Sequence, residues 1–317
     1  MKKIRPIILA GGIGKRLWPF STEDNPKQFI PIFKDLSLFD LTIQRVNNNL
    51  FKKPIIVTAD RYLDKIIAST EKTGLDAELI VLEPQGKNTY PAITLATALC
   101  MNKLKDECFI VMPSDHYISK NKKFYASCRL SMKEMGNNKL VIFGVKPDFP
   151  SDQFGYILSS GEKGSIVKIK EFIEKPDNKK TKILFNRANI FWNAGIFAFN
   201  GNWFLNEVRE SNKTFLKNVV RSLALGSFEG NIFKPHAKSF EKIEKISIDK
   251  ALIEKSKNVY MTPLEVGWSD LGSWASLSAF HRNPSSPVSL YKENHKEKIE
   301  RPWGYFEVIM ENKFSKI

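Results

Sequence analysis

Cysteine is scarce in this chain: among its 317 residues only Cys100, Cys108 and Cys128 are present. The number is odd and no C-x-x-C spacing occurs, which argues against a disulfide framework and against cysteine-held metal. Buried free thiols in a reduced, cytoplasmic compartment are expected instead. Long apolar runs are also missing. No stretch approaches the roughly 20 residues of a membrane helix, and the two N-terminal lysines are not followed by the apolar segment of a secretory leader. Acidic residues are few beside basic ones, 34 against 49, for a formal charge of +15. Such a surface would suit nucleic acid. Yet the lysines are scattered, as in Lys120, Lys122, Lys123, Lys179, Lys180 and Lys182, and neither a zinc-finger spacing nor an RNP-like aromatic motif is found. Neither a specific nucleic-acid partner nor a membrane is expected; solvated lysine and attraction of small anionic substrates account for the charge. There is no internal repeat and no low-complexity tract.

Two familiar glycine motifs are absent as well. A dinucleotide fingerprint needs a third glycine where Gly12-Ile13-Gly14 is followed by Lys15, Arg16 and Leu17. A P-loop needs Ser or Thr after its lysine, and Arg16 follows Lys15. What is present is an apolar run, Pro6 to Ala10, emptying into Gly11-Gly12-Ile13-Gly14-Lys15-Arg16-Leu17-Trp18-Pro19, then Pro26-Lys27-Gln28-Phe29. Glycine permits close backbone approach to a ligand, and successive N–H groups can cradle phosphate oxygens. Arg16 can clamp a phosphate and Lys27 adds a compact charge. An ordinary strand-to-helix turn with solvated cations would produce the same glycines.

With 42% hydrophobic and 26% charged residues, the chain can bury a sizeable core. Strands are expected at Ile4–Leu9, Pro54–Thr58, Glu78–Leu82 and Cys108–Met112, with helices at Leu38–Asn48, Leu63–Thr73 and Pro91–Leu104. This alternation predicts an α/β fold with a doubly wound, mostly parallel, Rossmann-like sheet. Ligands then sit outside the C-terminal strand ends, where the glycine loop and Ser114-Asp115-His116 both fall. A more β-rich part follows, at Leu140–Val145, Gly155–Ser159, Ile166–Ile173 and Ile190–Phe199, before helices at Gly201–Asn212, Lys213–Leu225, Ile248–Lys255 and Gly272–His281.

Several side chains stand at chemically useful places. Asp115 closes the run from Phe109 and could bind Mg²⁺, which takes a few carboxylates and completes its shell with phosphate and water oxygens; it could equally be a turn aspartate. Asp270, in Gly267-Trp268-Ser269-Asp270, could cap a helix. His116 has no His or Cys partner at ligand spacing. Asn193 can donate to and accept from hydroxyls, or simply make a turn before Gly195. Asn88 or Thr89 could cap the helix that follows Glu83-Pro84-Gln85-Gly86-Lys87.

The string from Leu9 to Ser21 with Pro26-Lys27-Gln28-Phe29 resembles the opening of the nucleotide-sugar pyrophosphorylases, and within them the mannose-1-phosphate guanylyltransferases. Trp268-Ser269-Asp270-Leu271-Gly272-Ser273-Trp274, Phe172-Ile173-Glu174-Lys175-Pro176, Phe191-Trp192-Asn193-Ala194-Gly195, Phe154-Gly155-Tyr156 and Glu83 to Ala92 follow in the family's order. The resemblance implies a nucleotidyltransferase with β-rich sugar-binding insertions that makes GDP-mannose and diphosphate from GTP and α-D-mannose 1-phosphate. It implies Mg²⁺ or another divalent cation on Asp115 and Asp270. Leu9, Ala10, Gly11, Gly12, Gly14, Lys15, Arg16, Lys27, Glu83, Lys87, Asn88, Thr89 and Ser114 would bind the nucleotide. Gly155, Glu174, Lys175 and Asn193 would bind the sugar phosphate, and Arg16, Lys27, Asp115, Lys175 and Asp270 would carry catalysis. A different base or sugar, or a non-catalytic regulatory subunit of the same fold, are the alternatives. Lys87, Tyr90 and Lys250 depart from the Arg, Ala and Tyr usual in the family. Residues 1–282 are expected to form the catalytic domain and 283–300 a linker. Residues 301–317, with Arg301-Pro302-Trp303-Gly304-Tyr305, resemble the start of a cupin isomerase half, whose barrel the chain does not contain. Isomerase activity is not expected; a homodimer is compatible with the resemblance.

Overall fold

Short, almost wholly apolar segments such as Arg5–Leu9 and Leu79–Glu83 are covered on both faces, as a strand flanked by helices must be. The computed structural model describes residues 3–12, 17–18, 20–33, 35–136, 138–161, 166–274 and 276–277. Gly14, Lys15, Arg16, the expected linker and tail, and most of the expected last helix lie outside the described residues.

In chain order the first half runs β1 (Arg5–Leu9), β2 (Pro31–Phe33), β3 (Leu36–Ser37), α1 (Leu38–Val46), β4 (Ile55–Ala59), α2 (Leu63–Thr73), β5 (Leu79–Glu83), α3 (Thr89–Lys103), β6 (Cys108–Pro113), β7 (Tyr117–Ile118) and α4 (Asn121–Met135). The second half runs β8 (Leu140–Val145), β9 (Tyr156–Ser159), β10 (Val167–Ile173), α5 (Asn178–Phe185), β11 (Ile190–Asn200), α6 (Gly201–Ser211), α7 (Lys213–Ala224), β12 (Ser227–Glu229), β13 (Ile232–Lys234), α8 (Ala237–Phe240), β14 (Val259–Pro263) and β15 (Trp268–Ser269).

Among the described residues eleven strands form one sheet, in the order β12-β13-β5-β4-β1-β6-β11-β8-β14-β10-β9. From β13 to β6 neighbouring strands are parallel, which gives the expected Rossmann-like half. β11 joins antiparallel to β6 and to β8, so the β-rich part extends the same sheet rather than forming a separate one. Local chemistry sets the helix ends. Ser37 and Asp40 make a reciprocal capping box at α1, and Gly74, at φ 64, stops α2 in the left-handed conformation that glycine tolerates. Alternate residues of β1 feed two cores: Ile7 packs with α3 and α6 residues such as Ile93 and Phe204, and Ile8 with α1 and α4 residues such as Phe39 and Phe124.

Several elements differ from expectation. The sequence reading has no helix at α4 or α5. In α4 the buried positions include Ser127, Cys128 and Ser131, so the apolar stripe that marks an amphipathic helix is diluted. In α5 only Thr181 and Leu184 are buried; the scattered Lys122, Lys123, Lys179, Lys180 and Lys182 lie on the exposed sides of these two helices. The expected helix at Ile248–Lys255 is a single π turn over Asp249–Ile253.

Candidate active site

The candidate site lies at the C-terminal ends of β1 and β6, which pair in parallel, the place where open α/β sheets bind ligands. The two loops are pinned at their roots: Ser114 N donates to Leu9 O and Ala10 N to Val57 O. Thr58 Oγ1 donates to Ala10 O, and Gln28 Nε2 donates to Ala10 O at 3.2 Å and to Gly12 O at 2.8 Å. Gln28 therefore braces the glycine loop, and its neighbour Lys27 is delivered to the site.

Lys27 is only 3% exposed. Its Nζ pairs with Asp115 Oδ2 at 3.0 Å and donates to the backbone carbonyl of Asp270. Asp270 reaches this point because β15 pairs antiparallel with β7, Trp268 facing Ile118 and Ser269 facing Tyr117. Trp268 Nε1 donates to His116 Nδ1 at 3.3 Å. A neutral His116 then carries its proton on Nε2, which lies 3.7 Å from Asp115 Oδ1. Burial pushes the Asp115 carboxyl up, but Lys27 and His116 outweigh it and hold it at about 2. Asp115 is thus a carboxylate at any physiological pH. Together with buried Asp270 it offers the hard oxygen donors that suit Mg²⁺. Among the described residues no group of three or more His, Cys, Asp or Glu gathers as a self-sufficient metal cage, so a cation here would complete its shell from ligand oxygens.

Glu83 ends β5 and is buried, with Oε1 lacking any hydrogen-bond partner. Its Oε2 lies 3.7 Å from where a Cβ on Gly11 would stand, so it faces the glycine loop. Burial pushes its carboxyl up to about 8. Three further residues expected to bind the nucleotide make contacts of their own. Lys87 Nζ donates to Glu241 O at 2.8 Å, Asn88 caps α3 at φ 71, and Thr89 Oγ1 accepts from Ile248 N at 2.9 Å.

The four residues expected to bind the sugar phosphate lie close together. Glu174 and Lys175 follow β10, with Lys175 Nζ 3.1 Å from Glu174 Oε1. Lys175 has φ 43, a conformation costly for a side chain with Cβ and often found at ligand sites. Asn193 N donates to Gly155 O, and Gly155 lies against Glu174. Phe154 packs on Trp192 and Trp268, and a Cβ at Gly195 would stand 3.7 Å from His116 Cε1, so these residues lie beside the neighbour of Asp115. Asn193 Nδ2 donates to Asp249 Oδ1 at 2.9 Å. Sequence reasoning assigned Asp249 no role, although it sits inside the family-like Ser247-Ile248-Asp249-Lys250-Ala251. Burial first, and the nearby Glu174 charge second, push its carboxyl up to about 7.

A Cβ at Gly155 would stand 2.8 Å from both Glu174 Oε2 and Phe172 Cζ. Gly155→Ala is expected to displace Glu174 and raise KM for the sugar phosphate about tenfold or more, with KM for the nucleotide unchanged. Initial rates with each substrate varied in turn check this.

Parallel strand ends that bring Gly11-Gly12, braced by Gln28, beside an ionised, lysine-paired carboxylate fit a nucleotide-handling phosphoryl-transfer fold. The chain belongs to the nucleotidyl transferase family, whose model matches residues 5–285. It is 30% identical over 279 residues to the alginate biosynthesis protein AlgA of Pseudomonas aeruginosa, covering 87% of this chain and 58% of that protein. It is 30% identical over 312 residues to a mannose-1-phosphate guanylyltransferase of Escherichia coli, covering 96% of this chain and 65% of that one. The chain thus spans little more than half the length of such relatives. A crystal structure described as mannose-6-phosphate isomerase from Helicobacter pylori superposes with a TM-score of 0.73 at 30% identity, covering 84% of this chain and 99% of that one.

Proposed function

We propose that this chain transfers a guanylyl group from GTP to α-D-mannose 1-phosphate, giving GDP-mannose and diphosphate. The observation that carries the reading is the Lys27–Asp115 pair, seated between the glycine loop and the Glu174–Lys175–Asn193 group. An oxygen of the sugar phosphate attacks the α-phosphorus in line, one P–O bond forms, and the bond to the β-phosphate oxygen breaks. No protein nucleophile is needed; positioning and charge stabilisation do the work.

Each residue has a role in this scheme. Backbone N–H groups of the glycine loop beyond Ala10, whose own N–H is spent on Val57 O, and the Ser114 hydroxyl hold the triphosphate. Lys27 and Arg16 stabilise charge on the α-phosphate and the departing diphosphate. Glu83, aimed at the loop with an unpartnered oxygen, accepts from the N1 and N2 donors that distinguish guanine from adenine. Lys175, 61% exposed on its side chain, takes the sugar's phosphate, while Glu174 and Asn193 take its hydroxyls. Asp115 and Asp270 would hold a divalent cation, which when bound supplies neutralising charge to the phosphates.

The test is diphosphate release across a panel of nucleoside triphosphates and sugar 1-phosphates with Mg²⁺. GTP with mannose 1-phosphate is expected to give the largest kcat/KM. A larger value with another pair would reassign base or sugar, and no release with any pair would make the chain a non-catalytic member of the fold. Isomerisation of mannose 6-phosphate, the activity for which the Helicobacter relative is named, is assayed alongside and expected to be absent.

A further inference from the structure

Asn193 is held at both ends of its amide. Nδ2 donates to Asp249 Oδ1 at 2.9 Å, and Oδ1 accepts the backbone N–H of Gly195 at 3.0 Å. A flipped amide would set oxygen against carboxylate and NH₂ against N–H, so the two contacts decide which end is nitrogen. The second hydrogen on Nδ2 is left for other acceptors.

Asp249 is itself held from elsewhere. Ile248 N donates to Thr89 Oγ1 at 2.9 Å, and Ile246 N to Lys87 O at 3.2 Å. The residues just before Asp249 therefore hang on the loop that opens α3, which Glu83 begins. Asp249 then opens the π turn over Asp249–Ile253, a wide helical turn that recurs at functional sites.

We infer that Asp249 is a positioning residue of the sugar-phosphate subsite: it keeps the Asn193 amide turned so that its remaining N–H meets sugar hydroxyls, and it ties that orientation to the base loop through Ile248 and Thr89. The inference rests on the sugar-site reading of Asn193 given above. Asp249 touches no substrate in this scheme; it acts through Asn193. It also explains why Lys87 and Thr89 are turned toward residues 241–248: that side of the loop holds the neighbouring subsite in place.

The experiment uses initial rates of diphosphate release, with each substrate varied, on three variants. Asp249→Ala is expected to raise KM for mannose 1-phosphate about tenfold, with KM for GTP within about twofold of wild type. Asp249→Asn keeps an oxygen that can accept from Asn193 and is expected to recover most of that loss. The double exchange Asn193→Asp with Asp249→Asn restores a hydrogen bond of opposite direction. Its melting temperature is expected to return toward wild type, but its sugar-phosphate KM to stay high, because a carboxylate at position 193 has no N–H to offer. Recovery of both would show a merely structural bond and overturn the inference. An unchanged sugar-phosphate KM in folded Asp249→Ala would overturn it too, while leaving the transfer reading intact. A wild-type chain inactive with every sugar 1-phosphate would overturn the transfer reading and the inference together.

Discussion

Asp115→Asn is expected to lower kcat by about 10²-fold or more, because it removes the ionised oxygen donor from the centre of the site. Asp270→Asn should act in the same direction. The paired substitution Lys27→Met tests the same centre from the other side. Lys27 is the first of the lowering influences on Asp115, acting against a burial that raises it. Without the ammonium the Asp115 pKa must rise, so the acid limb of the kcat–pH profile should move to higher pH as kcat falls. All three variants keep a side chain of similar volume, and circular dichroism will show whether the fold is retained. Near-wild-type turnover in Asp115→Asn and Asp270→Asn, with the fold intact, would remove the proposed cation site. An unmoved acid limb in Lys27→Met would remove the electrostatic role of Lys27.

Glu83 carries a strong pH-linked effect. Its carboxyl titrates near 4.5 when unfolded and about 8 when folded, and burial is the cause. Between these values the folded chain retains a proton that the unfolded chain has lost. Stability therefore falls as pH rises from about 4.5 to about 8, and the loss is complete above that window, at roughly 3–5 kcal/mol. Glu83→Gln has no such proton to lose. In the absence of nucleotide its melting temperature should exceed that of wild type by several degrees at pH 9, with the margin shrinking to nothing below pH 4.5. Nucleotide binding should show the complementary trend. If the carboxylate accepts guanine's donors, GTP must displace the proton, so wild-type affinity should rise between pH 6 and 8 with proton release. Titration calorimetry in buffers of different ionisation enthalpy measures that release directly. Binding that is independent of pH in both proteins would mean that Glu83 does not read the base.

Much of the sheet and of the helices on it could be read along the chain. The expected helix Leu63–Thr73 and strand Leu140–Val145 coincide with α2 and β8. In α2 the end is written locally, by Gly74; in β8 the run is continuously apolar because both faces are covered. The elements that escaped are those whose signal is not local. Val259–Pro263 becomes a strand by pairing with β8 and β10, and no residue within it announces those partners. α4 escaped because serine and cysteine stand where an apolar stripe is expected.

Residue type and position in the chain singled out the glycine loop, Arg16, Lys27 and Asp115 as candidates, because phosphate chemistry needs such groups at strand ends, and the family resemblance added Asp270, Glu174 and Lys175. They could not say which groups touch. Lys27 meets Asp115 and the Asp270 carbonyl only when β7 and β15 pair. Asp249 gained a role only when its carboxylate was found on Asn193. Nor could the sequence rank the acids. Asp115 and Glu83 are both carboxyls beside apolar strands, yet one is held at about 2 and the other pushed up to about 8. Burial acts on both; what separates them is first a lysine ammonium 3.0 Å from Asp115 and then His116 beside it. Coulomb energy depends on distance in space rather than along the chain, so the folded structure alone decides which of the two acids is charged.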